Sequence, residues 1–331
     1  MKNRLSWLAA PYVLWMMAVI IVPIFMVMFY AFTTANSLEL AEAEGGLAGF
    51  FSVFTLENFA RMGTYAVIFY RSFRLALVAT VICLLIGYPL AYVMAKEGPG
   101  FQRVAMVIIM LPMWVNFLLR TYAWMALLEN NGILNNFFQS VGVIDLGNAV
   151  NGALNDLCAA LNGSVVEWLN GLLGTDWALN TGRDTDMEFF RMIRTQGAVV
   201  LGMVYNYLPF MVLPIYSVIV KLDPSLLEAA RDLGANTAGV FRKVIFPLSL
   251  PGVLSGVTMV FVPAVSTFAI SRMLGGNNQM LLGNLIENQF LGGAYNPHLG
   301  SAIALVMMII VVACMWIMNR FGEGEEQAVI L

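Results

Sequence analysis

The chain has 331 residues, 60% of them hydrophobic and only 11% charged, and its mean hydropathy is +0.79. Soluble domains carry about 25% charged residues, so lipid rather than water is the expected solvent. The net charge of −3 is small and says nothing about partners until the charges are assigned to sides of a membrane; no nucleic-acid partner is expected. His298 is the single histidine, and Cys83, Cys158 and Cys314 have no C-x-x-C spacing. Neither a disulfide framework nor a His/Cys metal site is therefore expected.

A spanning helix needs about 20 mostly apolar residues. Six runs qualify: 7–32, 73–95, 104–128, 197–220, 248–270 and 299–319. The first follows Lys2 and Arg4 like a secretory leader, but exceeds the roughly 7–15 apolar residues of a leader core, so it is taken as a retained span. Basic residues crowd into the segments that a cytoplasmic N-terminus would place inside: Lys2, Arg4, Lys96, Arg103, Lys221, Arg231, Arg242, Lys243 and Arg320. The much longer opposite segments hold Arg61, Arg183, Arg191, Arg194 and Arg272. That bias predicts both termini in the cytoplasm.

Pro23, Pro89, Pro112, Pro209, Pro214 and Pro263 fall inside spans. They predict kinks, or broken helices along a path of the kind transporters use. The expected domains are 1–69 (first span and external loop), 70–320 (the core) and 321–331 (a cytoplasmic tail). Residues 146–190 form an external insertion within the core. In it Val150, Leu154, Leu157, Leu161, Val165, Trp168 and Leu172 recur at helical steps, with a break expected near Asn162-Gly163.

The loop at 221–247 carries the most specific pattern. Asp223 suits an N-cap, Pro224 the first helical position and Gly234 a left-handed stop. Thr237 is the expected cap of a second short helix that Pro247 ends. Glu228-Ala229-Ala230, then Gly234 after three residues, then Val244-Ile245-Phe246-Pro247 after nine, resembles the E-A-A-x3-G-x9-I-x-L-P loop of ABC importer permeases. Val244 and Phe246 replace Ile and Leu. The resemblance implies an all-α membrane protein with six transmembrane helices, and a coupling helix that docks on an ATPase through Glu228, Ala229, Ala230, Arg231, Asp232, Gly234 and Pro247.

Two further stretches, Leu111 to Tyr122 with Asn131 to Asn135, and Tyr205 to Asp223, resemble the first permease of spermidine/putrescine systems over most of 70–319. Residues 146–190 depart from it. The implied partners are a second related permease, two ABC ATPases that bind ATP and Mg, an extracytoplasmic binding protein and membrane lipid. The implied location is the bacterial inner membrane. This chain has no Gly-Lys dipeptide, hence no Walker A loop, and no catalytic constellation is expected in it.

Asp and Glu are absent from the six apolar cores. Ammonium groups would then meet aromatic faces and amides. The candidates are Trp114, Asn116, Tyr122, Trp124, Tyr205, Asn206 and Tyr207; helix packing and the aromatic interface belt are the alternative roles. Arg120 is the one clear charge inside a span. Glu57, Glu129, Asp145 and Glu287 suggest an acidic outer mouth. Iron, thiamine or sulfate would keep the class and change the cargo. An ion-coupled secondary transporter would need ionisable groups in its spans, and a membrane enzyme would need catalytic groups.

Overall fold

The computed structural model describes residues 11–35, 39, 53–173, 177–276, 279–293 and 295–326. Lys2, Arg4 and the last residues of the expected tail lie outside that set. Among the described residues every regular element is a helix. The first is α1, Pro11–Ala31. A short lead, Glu57–Met62, precedes α2, Ala66–Lys96. Then come α3 (Pro99–Trp114), α4 (Phe117–Leu128), α5 (Ile133–Ser140), α6 (Val143–Leu161) and α7 (Glu167–Leu173). The chain continues with α8 (Gln196–Ile219), α9 (Pro224–Asp232), α10 (Phe246–Ser266), α11 (Leu282–Leu291) and α12 (Pro297–Glu326).

Among the described residues five helical stretches are long and apolar enough to cross a membrane, and a bent pair of helices qualifies when its two members are taken together. The third predicted run, 104–128, is thus two helices rather than one, turning through 91° between Trp114 and Phe117. Val115 and Asn116 leave the helical region, and the Asn116 side chain accepts the Leu118 N–H at 2.8 Å to start α4. Hydropathy averages over such a corner. The other prolines stay within continuous helices: Pro89 in α2, Pro209 and Pro214 in α8, Pro251 and Pro263 in α10.

The bundle is organised around α8, which packs most extensively against α2 and α10. Apolar side chains gain little by leaving lipid for a neighbouring helix, so close backbone approach and dispersion decide such packing. Gly252 and Gly256 repeat at a four-residue step on α10 and receive α8 directly. A Cβ on Gly256 would lie 2.8 Å from Met211 Sδ and 3.1 Å from its carbonyl oxygen; one on Gly252 would lie 2.9 Å from Pro214 O. Gly87 on α2 closes the other side of Met211, at 3.0 Å from its Cγ. Buried Ala76, Ala79, Ala91 and Ala264 extend these narrow seams. α12 carries α1, α11 and the lead helix on its flank.

The 146–190 segment is an appendage with an ordered plan. The predicted break near Asn162-Gly163 is a π-helical turn, Asn162–Val166, so α6 runs on into α7. One helical face is asparagine, and residues 177–190 return along it in extended form. Each amide offers both a donor and an acceptor, matching the N–H and C=O of one peptide residue. Asn148 pairs with Met187 this way (3.1 and 2.9 Å), Asn155 with Arg183 (2.9 and 3.2 Å) and Asn162 with Leu179 (2.9 and 2.7 Å). Asn170 does the same with Trp177, and Asn135 of α5 with Phe190. Seven helical residues rise about 10 Å, close to the roughly 13 Å reach of four extended ones, so the two chains stay in step. Of the seven positions that revealed the helix, Val150, Leu154, Leu157, Val165 and Trp168 are exposed and Leu161 is half-buried.

Two outcomes test this description. Gly256→Val forces Met211 and its backbone apart, and overpacking costs about 1–3 kcal/mol. The solubilised protein should melt several degrees lower, whereas Gly63→Ala, with open space around it, should not shift. For the ladder, Asn155→Ala with Asn162→Ala removes four hydrogen bonds at about 1 kcal/mol each. Tryptic cleavage after Arg183 should quicken at least tenfold; unchanged cleavage would mean the amides do not hold the returning strand.

Candidate functional site

The loop after α8 folds as its residues require. Asp223 Oδ1 accepts the Ser225 N–H at 2.9 Å, and Pro224 occupies the first turn, where no N–H is needed. That bond holds the exposed Asp223 carboxyl below its ordinary range. The cap is therefore present at neutral pH and is lost only as pH falls through the lowered value. At the other end Gly234 takes φ +83°. Its N–H donates to Arg231 O at 2.8 Å, and Ala235 N–H to Ala230 O at 3.1 Å, closing a Schellman stop.

α9 has no buried residue. Glu228, Ala229, Arg231 and Asp232 are exposed and Ala230 is half-buried. Leu233, just past the helix, is 89% exposed, and Leu226 is exposed as well. A capped helix whose small and apolar side chains remain uncovered is shaped for contact with another protein.

The continuation differs from the sequence expectation in two places. Asn236, not Thr237, caps the next turn, accepting the Gly239 N–H at 2.8 Å. Pro247 ends nothing: it lies in the first turn of α10, and the π-helical turn Phe241–Ile245 runs straight into it. The helical strut of residues 237–245 is therefore continuous with α10, and the tight turn at 233–236 joins it to α9. Phe241 wedges against Tyr88 and Tyr92 of α2, with ring centroids 5.7 and 5.3 Å away. Ser249 donates to Phe246 O at 2.9 Å, which leaves the Tyr88 hydroxyl to donate to Ser249 at 2.8 Å. Lys96 Nζ sits 4.3 Å from the Tyr92 ring centre. Sequence reasoning missed this aromatic joint, because its two sides lie 149 to 161 residues apart in the chain. The Gly252-x-x-x-Gly256 repeat was legible and went unread.

The pathway candidates divide into three sets. Trp114, at the corner after α3, is 84% exposed; Asn116 and Tyr122 also face away from the chain's own bundle. Trp124 and Tyr205 meet edge to face at 5.3 Å and join α4 to α8. Asn206 is 3% exposed: its Nδ2 donates to Gly202 O at 2.8 Å, and its Oδ1 has no partner. Tyr207 reaches Pro263 O at 3.4 Å. Arg120 keeps Nε and Nη1 buried without partners. At the end of the bundle opposite α9, Glu57 is paired with Arg61 at 2.5 Å and Glu287 with Arg272 at 2.7 Å. Glu57 and Glu287, two of the carboxylates expected at an acidic mouth, are thus already engaged.

A bundle of apolar spans with an exposed, doubly capped helix at one end is the architecture of a multi-pass membrane protein. The family described as binding-protein-dependent transport system inner membrane component matches residues 85–323, and the chain belongs to it. It is 31% identical over 312 residues to the spermidine/putrescine transport system permease protein PotB of Haemophilus influenzae, covering 93% of this chain and 91% of that one. It is 32% identical over 298 residues to PotB of Escherichia coli, covering 89% and 90%. Among solved structures, a bacterial ABC transporter that imports the acidic polysaccharide alginate superposes with a TM-score of 0.65 at 12% identity, over 97% of this chain and 96% of that one. The MetNI methionine ABC transporter superposes with 0.52 at 16% identity, over 80% and 97%. The protein is a multi-pass inner-membrane transport permease.

The geometry at Gly234 sets an order among substitutions. A non-glycine residue there costs about 1–2 kcal/mol in the left-handed region, and asparagine the least. Gly234→Val should lower ATPase co-purification and uptake severalfold, and Gly234→Asn should do so much less. Equal behaviour of the two would detach the Schellman stop from coupling.

Proposed function

We propose that this chain is one permease of an ATP-driven importer of polyamines, paired with a second, related permease. Two ABC ATPases bind ATP and Mg and dock on the α9 helices, and an extracytoplasmic binding protein delivers the cargo. Both termini lie in the cytoplasm, so α9 faces the ATPases and the far end of α8 faces the binding protein. The observation that carries this reading is α9: a helix capped at both ends, with no buried residue, followed by the strut Phe241–Ile245 that runs into a transmembrane helix. Similarity to PotB along nine-tenths of the chain supports the cargo class.

In operation, closure of the ATPases draws the α9 helices together. The strut carries that displacement into α10, and the Tyr88–Ser249 bond with the Phe241 wedge carries it into α2. Cargo crosses by alternating access along the surface that this chain shares with its partner permease. Exposed Trp114, Asn116 and Tyr122 stand on this chain's outer surface, and the Trp124–Tyr205 pair lies behind them. Successive weak contacts suit transport, because a site must release what it binds.

Uptake of labelled spermidine at matched membrane abundance tests the reading. One cation–ring contact is worth about 1 kcal/mol, a several-fold change in rate. Trp114→Leu and Tyr205→Leu should each cut uptake several-fold, with Leu118→Ile unchanged. ATP-dependent uptake of iron, thiamine or sulfate in place of spermidine would move the cargo. Uptake that follows an ion gradient without ATP would overturn the class.

A further inference from the structure

The end of the bundle opposite α9 carries a cleft of about 560 Å³ lined by Met125, Glu129, Arg194, Arg272 and Gly276. A second hollow of about 380 Å³ shares Glu129 and Arg194 with it and adds Arg191. Three arginines from the α7–α8 and α10–α11 connections therefore meet at one mouth, and all three are exposed.

Arg194 is the informative member. It is the one non-glycine residue with positive φ, +61°, among the described residues. Such a backbone costs an ordinary residue about 1–2 kcal/mol, and glycine there would avoid the cost. Its N–H is nonetheless fixed to the carbonyl of fully buried Leu274 at 2.8 Å. Its aliphatic stem lies over Gly276, itself at φ +61°, with Cγ 3.4 Å from where a Cβ would stand. Two tight turns thus hold the stem of this side chain at the cleft that Arg194 lines. Strain kept against an available relief points to use of the side chain. Glu287 is occupied by Arg272. Arg191, Arg194 and Glu129 make no ion pair among the described residues.

We infer that this cleft is a docking socket for acidic side chains on the binding protein, with Arg194 and Arg191 as the receiving cations. The inference rests on the importer reading and its topology. A row of guanidinium groups repels a polyamine, so cargo attraction is not their role. Exposed charge at a rim mainly governs encounter rate, salt dependence and partner choice, which suits a receptor that must dock and leave in each cycle.

The test uses the complete transporter in nanodiscs with its cognate, substrate-loaded binding protein. The readout is the receptor concentration that gives half-maximal ATPase stimulation. Arg194→Gly fits the backbone and removes only the side chain. It should raise that concentration about fivefold, and Arg191→Glu with Arg194→Gly at least tenfold, with a flatter salt dependence. Arg194→Lys should stay within about threefold of the parent. Arg61→Glu, at the same end but away from the cleft, should match the parent. Changing acidic residues on the receptor's docking face to lysine should restore binding to an Arg191→Glu, Arg194→Glu transporter. Parent-like half-stimulation in the cleft variants overturns the socket and leaves the importer reading standing. So does failure of those variants to assemble with the partner permease, which would make the cleft a subunit contact. A parent transporter that no binding protein stimulates overturns both.

Discussion

At Met211 the central helix is closed in on two sides by hydrogen atoms in place of side chains. Gly87 of α2 and Gly256 of α10 leave no room for a Cβ, and Gly252 meets the α8 backbone one turn further along. In lipid this closeness does what exclusion of water does in a soluble core, because dispersion falls off steeply with even a small gap. α8, α2 and α10 consequently behave as one unit. α9 lies at one end of α8, the arginine cleft at the other, and the Trp124–Tyr205 contact along its length.

The two ends of α8 are about 36 Å apart, from 24 residues at 1.5 Å each. Coupling across that distance needs rigid connections, and the structure has them at both ends. Near α9 the connection is helical and aromatic: the Phe241–Ile245 turn, the wedge of Phe241 against Tyr88 and Tyr92, and the hydroxyl pair of Tyr88 and Ser249. At the far end it is polar. Ser271 bonds to Asn284, Asn284 donates to Phe268 O at 2.8 Å, and the Leu282 N–H reaches Ser72 of α2 at 2.8 Å. Beyond the turn at 233–236, the chain from Thr237 to α10 and its contacts on α2 form one connected set.

The asparagine ladder follows the same economy outside the bundle. An extended segment with no sheet partner would leave its backbone groups to water. Paired with amides at helical spacing, it becomes a stiff two-layer arm instead. The arm turns its apolar stripe outward and spends its polar face on itself, the reverse of what an amphipathic pattern normally implies.

Some of this was legible in the residues alone. Apolar runs of spanning length fix the helices, because no other backbone satisfies its hydrogen bonds in lipid. Asp223, Pro224 and Gly234 fix α9, because capping is local chemistry. The E-A-A-x3-G spacing resembles one family, and the family match agrees. What needed the tertiary structure was every feature made by residues distant in the chain. The third span bends because Asn116 caps a new helix within an unbroken apolar run, and hydropathy cannot register a change of direction. Pro247 ends no helix because a π-helical turn carries the chain straight into α10, and the cap falls one residue earlier than expected, on Asn236. The acidic mouth lost two of its members to arginines, one of them 15 residues away. Asn148, Asn155 and Asn162 read as polarity in sequence and become a ladder only once a returning strand lies beside them. Local signals are set by a residue and its near neighbours; pairing and enclosure are set by where the chain comes back.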